Sequence, residues 1–545
     1  MLDFSRKMWY NTGMKSDNNL KTRNTEMVTI SRAEYEQLQA QGERIAELEQ
    51  QLENLLEAIR LAQKKRFGAS SERLPEEALE QLSFLFNEPE LCADEESKAD
   101  AENVETVPAY QRRKKNEYTL DHLPENIPVE VIEHHLSEEE RACPVCGEQM
   151  EEIGTEVRRR VKIIPAQVII QEDRYYSYAC QKCSKEAIET PVVKANAANL
   201  FLPGSFATPE AAAYLMTQKF TMGTPLYRME QELNRRGIPL SRQTMSNWML
   251  YAATHYLTPV CEQLHRELLT REVLHADETT LQVLREPGRA AESKSYMWLY
   301  RTSGDTDKPI VLYEYQPGRG KVYPEAFLEG FQGYLHTDGY TVYHRLPAGI
   351  TVVGCWAHCR RMFSDALNAL PKGKRSGSSA AQGVAYCTQL FKIEERLAGL
   401  EPEERRQQRL EQEKPVLDAM LAWANSRSAA PKSTLGKALT YVKTQWPYLV
   451  NYLLDGRLEL SNNRAERSIK PFVIGRKNFL FANTPHGARG SAVIFSMIQT
   501  ALENGLDPYR YLTWVMHTAP GLDLTDDEAV SKLLPWNAPP QCAAN

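Results

Sequence analysis

The chain has 545 residues, of which 42% are hydrophobic and 25% charged, and its formal net charge is −7. A chain of this length is expected to form about three to five domains, and its composition is that of an ordinary globular protein. No apolar run approaches the roughly 20 residues that cross a bilayer, which argues against a membrane protein and for a cytoplasmic one. The negative charge does not exclude nucleic-acid binding, because the acids concentrate between Glu76 and Glu105 and local basic patches decide such binding.

The first predicted element is a helix with a heptad repeat, which follows a polar extension at 1–27 that we expect to be disordered. Residues 28–66 are predicted as a coiled coil that joins two copies of the chain as a homodimer. An amphipathic helix packed on its own domain is the alternative interpretation. Residues 67–124 are predicted as a linker, acidic at first and then basic. The apolar seam of the heptads consists of Leu38, Ile45, Leu48, Leu52, Leu55, Ile59 and Ala62.

Four cysteines form two close pairs, Cys143 with Cys146 and Cys180 with Cys183. Such pairs place four thiolates around one tetrahedral Zn²⁺ at Zn–S distances of about 2.3 Å, and a filled site of this kind is structural. Two disulfides are the alternative, which the lack of any sign of secretion disfavours. Because the residues between the pairs alternate like strands, 125–198 is predicted as a zinc-binding ribbon.

Residues 199–270 are predicted as a helical DNA-binding domain. One helix is expected to open at Thr224 and to end near Arg236, and a second is expected to begin after Ser241, a good N-cap. Arg242 and Gln243 then lie at the start of the second helix, where a helix-turn-helix protein contacts DNA. Many helical hairpins that do not bind DNA share this pattern, so a purely structural pair remains the alternative.

From residue 271 the hydrophobic period changes to two, which is typical of strands. Strands are predicted at 274–284, 296–302, 310–315, 334–337 and 351–355, with a helix at 323–329. This order predicts an α/β domain with a mixed sheet, whose first part is 271–359 and whose second part is 459–500. Residues 360–458 are predicted as a helical insertion, 472–481 as a strand-like run, and 501–545 as a C-terminal element and tail. The whole chain is therefore predicted to be a multidomain α+β protein.

Two aspartates stand beside apolar strand residues in this domain. Asp277 is placed at the start of the first strand, and Asp338 at the end of the fourth. An unpaired carboxylate is costly in such a place, whereas two carboxylates aimed at one point bind Mg²⁺ or Mn²⁺. Two such ions can promote the in-line displacement of a phosphodiester oxygen. The alternative is a pair of turn aspartates, because Asp338-Gly339 is also an ordinary turn dipeptide.

A third acid, Glu466, is predicted on a helix that begins near Ser461, in a segment crowded with basic residues. A carboxylate on a helix beside the sheet would complete the metal shell. A salt-bridged surface helix is the alternative, but it does not explain why asparagines, arginines and the acid stand together. Cys355, His358 and Cys359 are not interpreted as a metal site. They are predicted to form a buried strand end whose basic neighbours face DNA.

In this order the motifs resemble those of the IS66-family insertion-sequence transposases. The resemblance covers about residues 30–520 and rests on the zipper-like start, the cysteine pairs, and the segments Leu274–Thr279, His336–Tyr340, Gly354–Arg361, Ser461–Arg467 and Thr500–Pro508. Cys359 departs from the family, which more often has a small residue there. The resemblance implies that the catalytic domain is RNase H-like and that Asp277, Asp338 and Glu466 are its DDE triad.

We therefore expect a DDE transposase that cleaves the ends of its own mobile element and transfers them to target DNA with Mg²⁺ or Mn²⁺. The expected partners are DNA at the terminal inverted repeats and at the target, a second copy of the chain, and accessory proteins of the same element. The alternatives are a non-catalytic zinc-containing DNA-binding regulator derived from a transposase and a metal-dependent nuclease that only hydrolyses. The residues expected to contact DNA are Arg242, Gln243, His358, Arg360, Arg361, Arg464, Arg467 and Lys470.

Overall fold

The structure is a computed structural model that describes residues 168–179, 192–194 and 201–544. The predicted disordered extension, coiled coil, linker and zinc-ligating cysteines lie outside the described residues and stay predictions. Two short strands come from the predicted ribbon, β1 (Ser177–Ala179) and β2 (Val192–Lys194), and they pair antiparallel. In the part of the chain that the structure describes, no helix is long and apolar enough to cross a membrane.

Among the described residues, 428–437 fall in a compact unit of their own. Within it Ser433 Oγ accepts a hydrogen bond of 2.9 Å from the backbone N–H of Gly436. A hydroxyl in this position satisfies an N–H group that has no partner inside the helix. The elements below belong to the other unit, apart from the first residues of one helix that begins at Thr434.

The predicted helical domain consists of four α-helices and one π-helical segment. The helices are α1 (Pro209–Phe220), α2 (Leu226–Arg235), α3 (Arg242–Ala252) and α4 (Thr258–Leu269), with the π-helical turn at Ala253–Leu257. The predicted break between α2 and α3 is confirmed, and it contains Gly237 at a φ of 80°, a conformation that glycine adopts without strain. Ser241 is the N-cap of α3, as expected, and its hydroxyl accepts from the N–H of Thr244 at 3.1 Å.

A five-stranded mixed sheet follows, in the order β5-β4-β3-β6-β7. Its strands are β3 (Val273–Gln282), β4 (Lys294–Thr302), β5 (Val311–Gln316), β6 (Gly333–His336) and β7 (Ile350–Val353), with helix α5 (Val322–Phe327) between β5 and β6. The pairs β3–β4 and β4–β5 are antiparallel, whereas β3–β6 and β6–β7 are parallel. The predicted strands and the mixed sheet are confirmed, with ends shifted by one or two residues.

Helices make up most of the remaining chain, as predicted for the insertion. They are α6 (Trp356–Asn368), α7 (Ser379–Leu397), α8 (Pro402–Gln412), α9 (Lys414–Ser426), α10 (Thr434–Leu449), α11 (Asn463–Phe479), α12 (Pro485–Glu503), α13 (Pro508–Thr518) and α14 (Asp527–Ser531). Helix α6 crosses the predicted boundary between 359 and 360. The domain boundaries therefore stay predictions, although the helical character of the region is clear.

Two local predictions in this part of the chain are wrong. The run 472–481 is not strand-like, because most of it lies in helix α11. The buried residues of helix α11 recur every three or four positions, which is the helical period. They are Ala465, Ser468, Ile469, Phe472 and Gly475. Cys359 is not at a strand end but inside helix α6, where its sulfur lies 3.9 Å from Cys387 Sγ.

Helix α12 covers the outer edge of the sheet. The N–H groups of Val311 and Tyr313 on β5 donate to side-chain hydroxyls of α12, Thr500 at 3.0 Å and Ser496 at 2.8 Å. An edge strand otherwise presents unpaired N–H and C=O groups on which another chain can add a strand. Phe495 of the same helix is fully buried between the rings of Tyr313 and Phe472. Burial of such a side chain stabilises the fold by about 1.5–3 kcal/mol.

Candidate active site

Asp277 lies near the centre of the sheet. The prediction that it stands at the start of its strand is wrong. Asp277 lies within β3, where it pairs with Leu299 of β4. The strand begins at Val273, and the residues before Asp277 are buried, whereas Asp277 itself is half-buried. Its Oδ1 accepts a hydrogen bond of 2.8 Å from the N–H of Glu278. The carboxylate is therefore held in a fixed orientation at the edge of the core.

Strand register bears on the position of Asp338 relative to Asp277. In the parallel pair, Val273 aligns with Tyr334, and His275 aligns with His336, where β6 ends. Continuing this register by two residues would set Asp338 beside Asp277, at the strand spacing of about 4.8 Å. The prediction that Asp338 follows the fourth strand is confirmed, and its Oδ1 accepts a hydrogen bond of 2.9 Å from the N–H of Tyr340.

Glu466 reaches the same region in the first turn of helix α11. The helix begins at Asn463, and the N-cap residue Asn462 is buried with 1% of its surface exposed. The Asn462 side chain donates from Nδ2 to the carbonyl oxygen of Ala276 at 2.8 Å, and its Oδ1 lies 3.0 Å from His275 Nδ1. Helix α11 is thus anchored to β3 directly beside Asp277.

The carboxylates affect one another electrostatically. Burial, followed by the charges of Glu278, Asp338 and Glu466, raises the pKa of Asp277 well above its ordinary value, although the hydrogen bond from Glu278 N–H opposes this. A fixed set of like charges favours protonation of one member unless a cation binds among them. Asp338 and Glu466 therefore lie close enough to Asp277 for their charges to add to the effect of burial on its pKa.

Glu278 is a fourth carboxylate in this region, which the sequence analysis did not single out. Its side chain is only 1% exposed, and it accepts hydrogen bonds from Arg319 and from the hydroxyl of Tyr343. Arg319 in turn stacks on the ring of Tyr340, 3.7 Å from its centre. Burial and the charge of Asp338 raise the pKa of Glu278, which its two hydrogen-bond partners partly offset. Because Arg319 already neutralises the Glu278 carboxylate, we do not count Glu278 among the metal-binding acids.

Two buried histidines stack between the strands that carry the aspartates. The rings of His275 and His336 have centres 4.3 Å apart and are inclined by 11°. Burial lowers the pKa of His275 to about 3, so its ring is neutral at physiological pH. Because Asn462 Nδ2 donates to Ala276, its Oδ1 is the acceptor and His275 Nδ1 carries the proton. Burial also lowers the pKa of His336 well below its ordinary value, so the stacked pair adds no charge next to the acids.

Two residues predicted to contact DNA lie beside Glu466 instead of standing free. His358 Nδ1 is 3.5 Å from Glu466 Oε1, and Arg361 donates to Glu466 Oε2 at 3.3 Å. Both come from α6, whose first turn therefore faces the first turn of α11. Cys355, immediately before α6, joins them, because its Sγ, an imidazole nitrogen of His358 and a carboxylate oxygen of Glu466 all lie within 4.8 Å of one another.

The other predicted DNA contacts are distributed over several elements. Arg464 binds Glu459 at 2.7 Å, and Arg360 lies over the ring of Phe391. Arg467 and Lys470 are exposed on α11. Arg242 and Gln243 are exposed at the start of α3, where Gln243 donates to Asn247. Their roles in DNA binding stay predictions.

Asn462 and the partners of Glu278 are the residues that sequence reasoning missed. The pair Asn462-Asn463 stood out as part of a crowded segment, but nothing in the sequence indicates which asparagine is buried. Arg319 and Tyr343 lie far from Glu278 along the chain and carry no spacing signal. Arg476 donates to the hydroxyls of Thr279 and Thr280 on β3 at 3.2 and 3.1 Å, a contact that nothing in the sequence indicates.

Comparison with known families covers most of the chain. Residues 204–490, which include the sheet, α11 and all three acids, match the model described as "Transposase IS66 family". The chain belongs to the IS66 family of transposases. Three further matches agree with this assignment. They are the zinc-finger binding domain of transposase IS66 at 140–184, a model described as "Transposase C of IS166 homeodomain" at 54–132, and the IS66 C-terminal element at 496–536.

Relatives of similar length come from Sinorhizobium fredii (strain NBRC 101917 / NGR234). The chain is 30% identical over 514 residues to the uncharacterized protein y4qI, with 90% of each chain covered. It is also 30% identical over 431 residues to the uncharacterized protein y4jD, covering 76% of this chain and 81% of y4jD. The uncharacterized protein y4hP is 28% identical over 512 residues, covering 90% and 88%. No solved structure matches the chain.

Membership of the IS66 family supports a transposase function and DNA as the partner. The zinc-finger match spans Cys143, Cys146, Cys180 and Cys183, and so points to zinc binding. The family also suggests a DNA-processing enzyme and implies divalent metals.

Proposed function

We propose that the protein is a DDE transposase that cleaves DNA at the ends of an insertion sequence and joins the freed ends to target DNA. The observation that carries this proposal is the parallel β3–β6 register, which pairs His275 with His336 and so would bring Asp277 and Asp338, each two residues further on, side by side. Glu466 would complete the triad from helix α11. The order of the sheet, with the first aspartate on its central strand, supports an RNase H-like catalytic domain interrupted by a helical insertion.

The three acids suit a pair of hard divalent cations. Carboxylate oxygens are the preferred ligands of Mg²⁺ and Mn²⁺. Burial and then the neighbouring carboxylates raise the pKa of Asp277, and a bound cation would offset the repulsion between these charges. Asp277 and Asp338 would flank the ions, and Glu466 would complete the shell of one of them. When bound, two such ions activate the attacking oxygen and stabilise the leaving oxygen of a phosphodiester.

The protein's own residues then have positioning roles. Asn462 holds the helix of Glu466 against β3, so that the third acid faces the two aspartates. Basic residues of α11, among them Arg467 and Lys470, would contact the DNA phosphates. In this mechanism water and then a DNA 3′-hydroxyl act as the nucleophiles, so no covalent link between protein and DNA is needed.

The remaining modules would recognise and pair the DNA ends. The zinc ribbon, with the four cysteines as ligands, and helices α2 and α3, with Arg242 and Gln243, would bind the terminal repeats. A coiled coil at 28–66 would join two protomers and raise the effective concentration of one end near the other. Accessory proteins of the same element remain part of the proposal, and the bound protein would be found on the bacterial nucleoid.

Asp277→Asn is the direct test of the active site. The substitution removes a metal-binding charge without changing shape, so cleavage of labelled element ends should fall more than about a hundredfold, the upper range for loss of even an outer-shell partner. Binding of the same ends should be almost unchanged. Asp305→Asn, in an exposed position between β4 and β5, is the matched control. Normal cleavage by Asp277→Asn would rule out this active site.

Strand transfer separates the proposal from its two alternatives. A transposase should join pre-cleaved ends to a target plasmid with Mg²⁺, and joining should disappear in Asp338→Asn and Glu466→Gln. A nuclease that only hydrolyses would cut but yield no joined product. A regulator would bind ends with no metal-dependent cleavage in any condition, and the buried acids would then have only a structural role.

A further inference from the structure

Cys355, His358 and Glu466 form a group of three different metal-binding side chains outside the aspartate pair. Their ligand atoms lie within 4.8 Å of one another. A zinc ion bound at about 2.0–2.3 Å by such atoms in a tetrahedron separates them by about 3.3–3.8 Å. His358 Nδ1 and Glu466 Oε1 are already 3.5 Å apart, so a small inward movement of the Cys355 sulfur would complete the geometry.

Two of the three atoms that would hold the ion have no hydrogen-bond partner in the part of the chain that the structure describes. His358 Nδ1 and Glu466 Oε1 are buried atoms, and neither has a hydrogen-bond partner among the described residues. If His358 Nδ1 is unprotonated, two acceptor atoms face each other. If it is protonated, its N–H is too far from Glu466 Oε1 for a good hydrogen bond, and either arrangement is costly for buried atoms. A cation bound between the two atoms would give each of them a partner.

Rigid elements fix all three ligands. Cys355 is the N-cap of α6, His358 lies in the first turn of the same helix, and Glu466 lies in the first turn of α11. The backbone N–H of Asn462 donates to Cys355 Sγ at 3.2 Å, and a hydrogen bond of this kind stabilises a metal-bound thiolate. The site is therefore held in place before an ion arrives.

The donor set selects the class of ion. A thiolate with an imidazole favours Zn²⁺ or Cd²⁺ over Mg²⁺, which prefers oxygen ligands alone. Arg361 opposes binding because it lies 3.3 Å from Glu466 Oε2, but its side chain is 57% exposed and free to turn towards solvent. Three protein ligands would leave a fourth position for water.

We propose that Cys355, His358 and Glu466 bind a zinc-class ion, and that this ion inhibits cleavage by holding Glu466 away from the magnesium ions. Binding deprotonates the Cys355 thiol and releases one proton, while His358 binds as neutral imidazole and Glu466 as carboxylate. The inhibitory part rests on the proposed function, because it requires Glu466 to be a magnesium ligand. The ion site itself does not depend on that role.

Cadmium-113 NMR of the full-length protein tests the site directly. The wild type with excess Cd²⁺ should give a resonance typical of one sulfur ligand, distinct from the four-sulfur resonance of the ribbon. Cys355→Ser and Glu466→Gln should lose the one-sulfur resonance. Cys359→Ser, which changes a buried cysteine of the same helix outside the group, should keep it. Persistence of the resonance in Cys355→Ser, or its absence from the wild type, would overturn the proposal.

Cleavage assays test the inhibition. For each protein, cleavage with added Zn²⁺ is compared with cleavage by the same protein without it. Micromolar Zn²⁺ beyond the amount that fills the ribbon should reduce the Mg²⁺-dependent cleavage of the wild type and Cys359→Ser at least tenfold. The same addition should change the cleavage by Cys355→Ser less than twofold. If Cd²⁺ binds through Cys355 but cleavage is not reduced, the ion site is supported. The inhibition, and with it the proposed role of Glu466 in magnesium binding, would then be contradicted.

Discussion

At the scale of single residues, Asn462 connects the parts of the site. Its side chain binds Ala276 and His275 on β3, and its backbone N–H donates to the sulfur of Cys355 before α6. The N–H of Glu466 donates to its carbonyl oxygen at 3.2 Å. One buried amide therefore fixes where the third acid stands relative to the sheet.

Asn462→Ala should weaken both the fold and the metal response. It leaves a buried carbonyl and a buried imidazole N–H without partners, and each such loss costs about 1–3 kcal/mol. We expect a lower urea midpoint and a higher Mg²⁺ concentration for half-maximal cleavage, because Glu466 is no longer held. The exposed neighbour gives the control, Asn463→Ala. Equal midpoints and equal Mg²⁺ dependence for the two variants would contradict this role.

At the scale of elements, the contact between α12 and β5 explains how the sheet is closed on one side. Hydroxyl groups at Ser496 and Thr500 take the place of a neighbouring strand by accepting from β5 N–H groups. Thr500 also donates back to the carbonyl oxygen of Val311 at 2.9 Å. The helix therefore supplies hydrogen bonds as well as apolar contacts to the strand that it covers.

Ser496→Ala should expose the edge of the sheet. The N–H of Tyr313 loses its acceptor, so its amide hydrogen should exchange faster and the free energy of unfolding should fall by about 1–3 kcal/mol. Ser491→Ala on the same helix is the control, because the Ser491 hydroxyl donates only to the helix carbonyl of Gly487. If Tyr313 exchanges at the same rate in both variants, the hydroxyl has no role at this edge.

The helical insertion contains a buried ion pair with a pH-dependent neighbour. Arg409 is fully buried and binds Glu394 at 2.6 and 2.9 Å. Glu413 is also fully buried and accepts from the hydroxyl of Tyr452 at 2.6 Å. Burial, and then the charge of Glu394, raises the pKa of Glu413 to about 7, although Tyr452 and Arg409 oppose the shift.

Glu413→Gln should remove a pH dependence of stability. Because the folded-state pKa of Glu413 lies above its unfolded value, the folded protein binds this proton more tightly, and stability falls as pH rises from about 4.5 to about 7. Between pH 5.5 and 8 the wild type should lose on the order of 2 kcal/mol relative to Glu413→Gln. The pKa of Glu394 is lowered, so its own contribution to the pH dependence of stability falls at more acidic pH, outside this range. Parallel thermal-unfolding profiles of the two proteins over this range would contradict the assignment.

At the scale of the whole molecule, the proposed function places one DNA-recognition module outside the catalytic domain. The cysteine pairs lie within 140–184, whereas the match to the transposase model begins at 204. Loss of zinc should therefore affect recognition of the DNA ends more than the integrity of the sheet.

Removal of zinc by a chelator should weaken binding of element ends at least tenfold, with little change in the near-ultraviolet circular dichroism of the buried tryptophans Trp298 and Trp356. Gel-shift titration measures the binding, and re-addition of Zn²⁺ should restore it. Unchanged end binding after verified zinc loss would remove the ribbon from recognition.

The sequence predicts some features of this site well and others poorly. Strands β3 to β7 are visible because they are short runs rich in β-branched and aromatic residues between turn residues. The prediction for 472–481 failed because Phe472, Val473 and Ile474 favour strands locally, whereas packing of Phe472 against Phe495 selects the helix. The position of Asp338 relative to Asp277 depends on the register of two parallel strands that are distant in the chain, which no local pattern encodes.

The amide of Asn462 meets a carbonyl group 186 positions earlier in the chain. On the proposed function, a polypeptide that stops before this asparagine carries both aspartates and the helix pair α2–α3 but not the third acid. Such a product would lack the complete triad and so could not cut element ends. Cleavage would therefore begin only after the ribosome has translated most of the coding sequence.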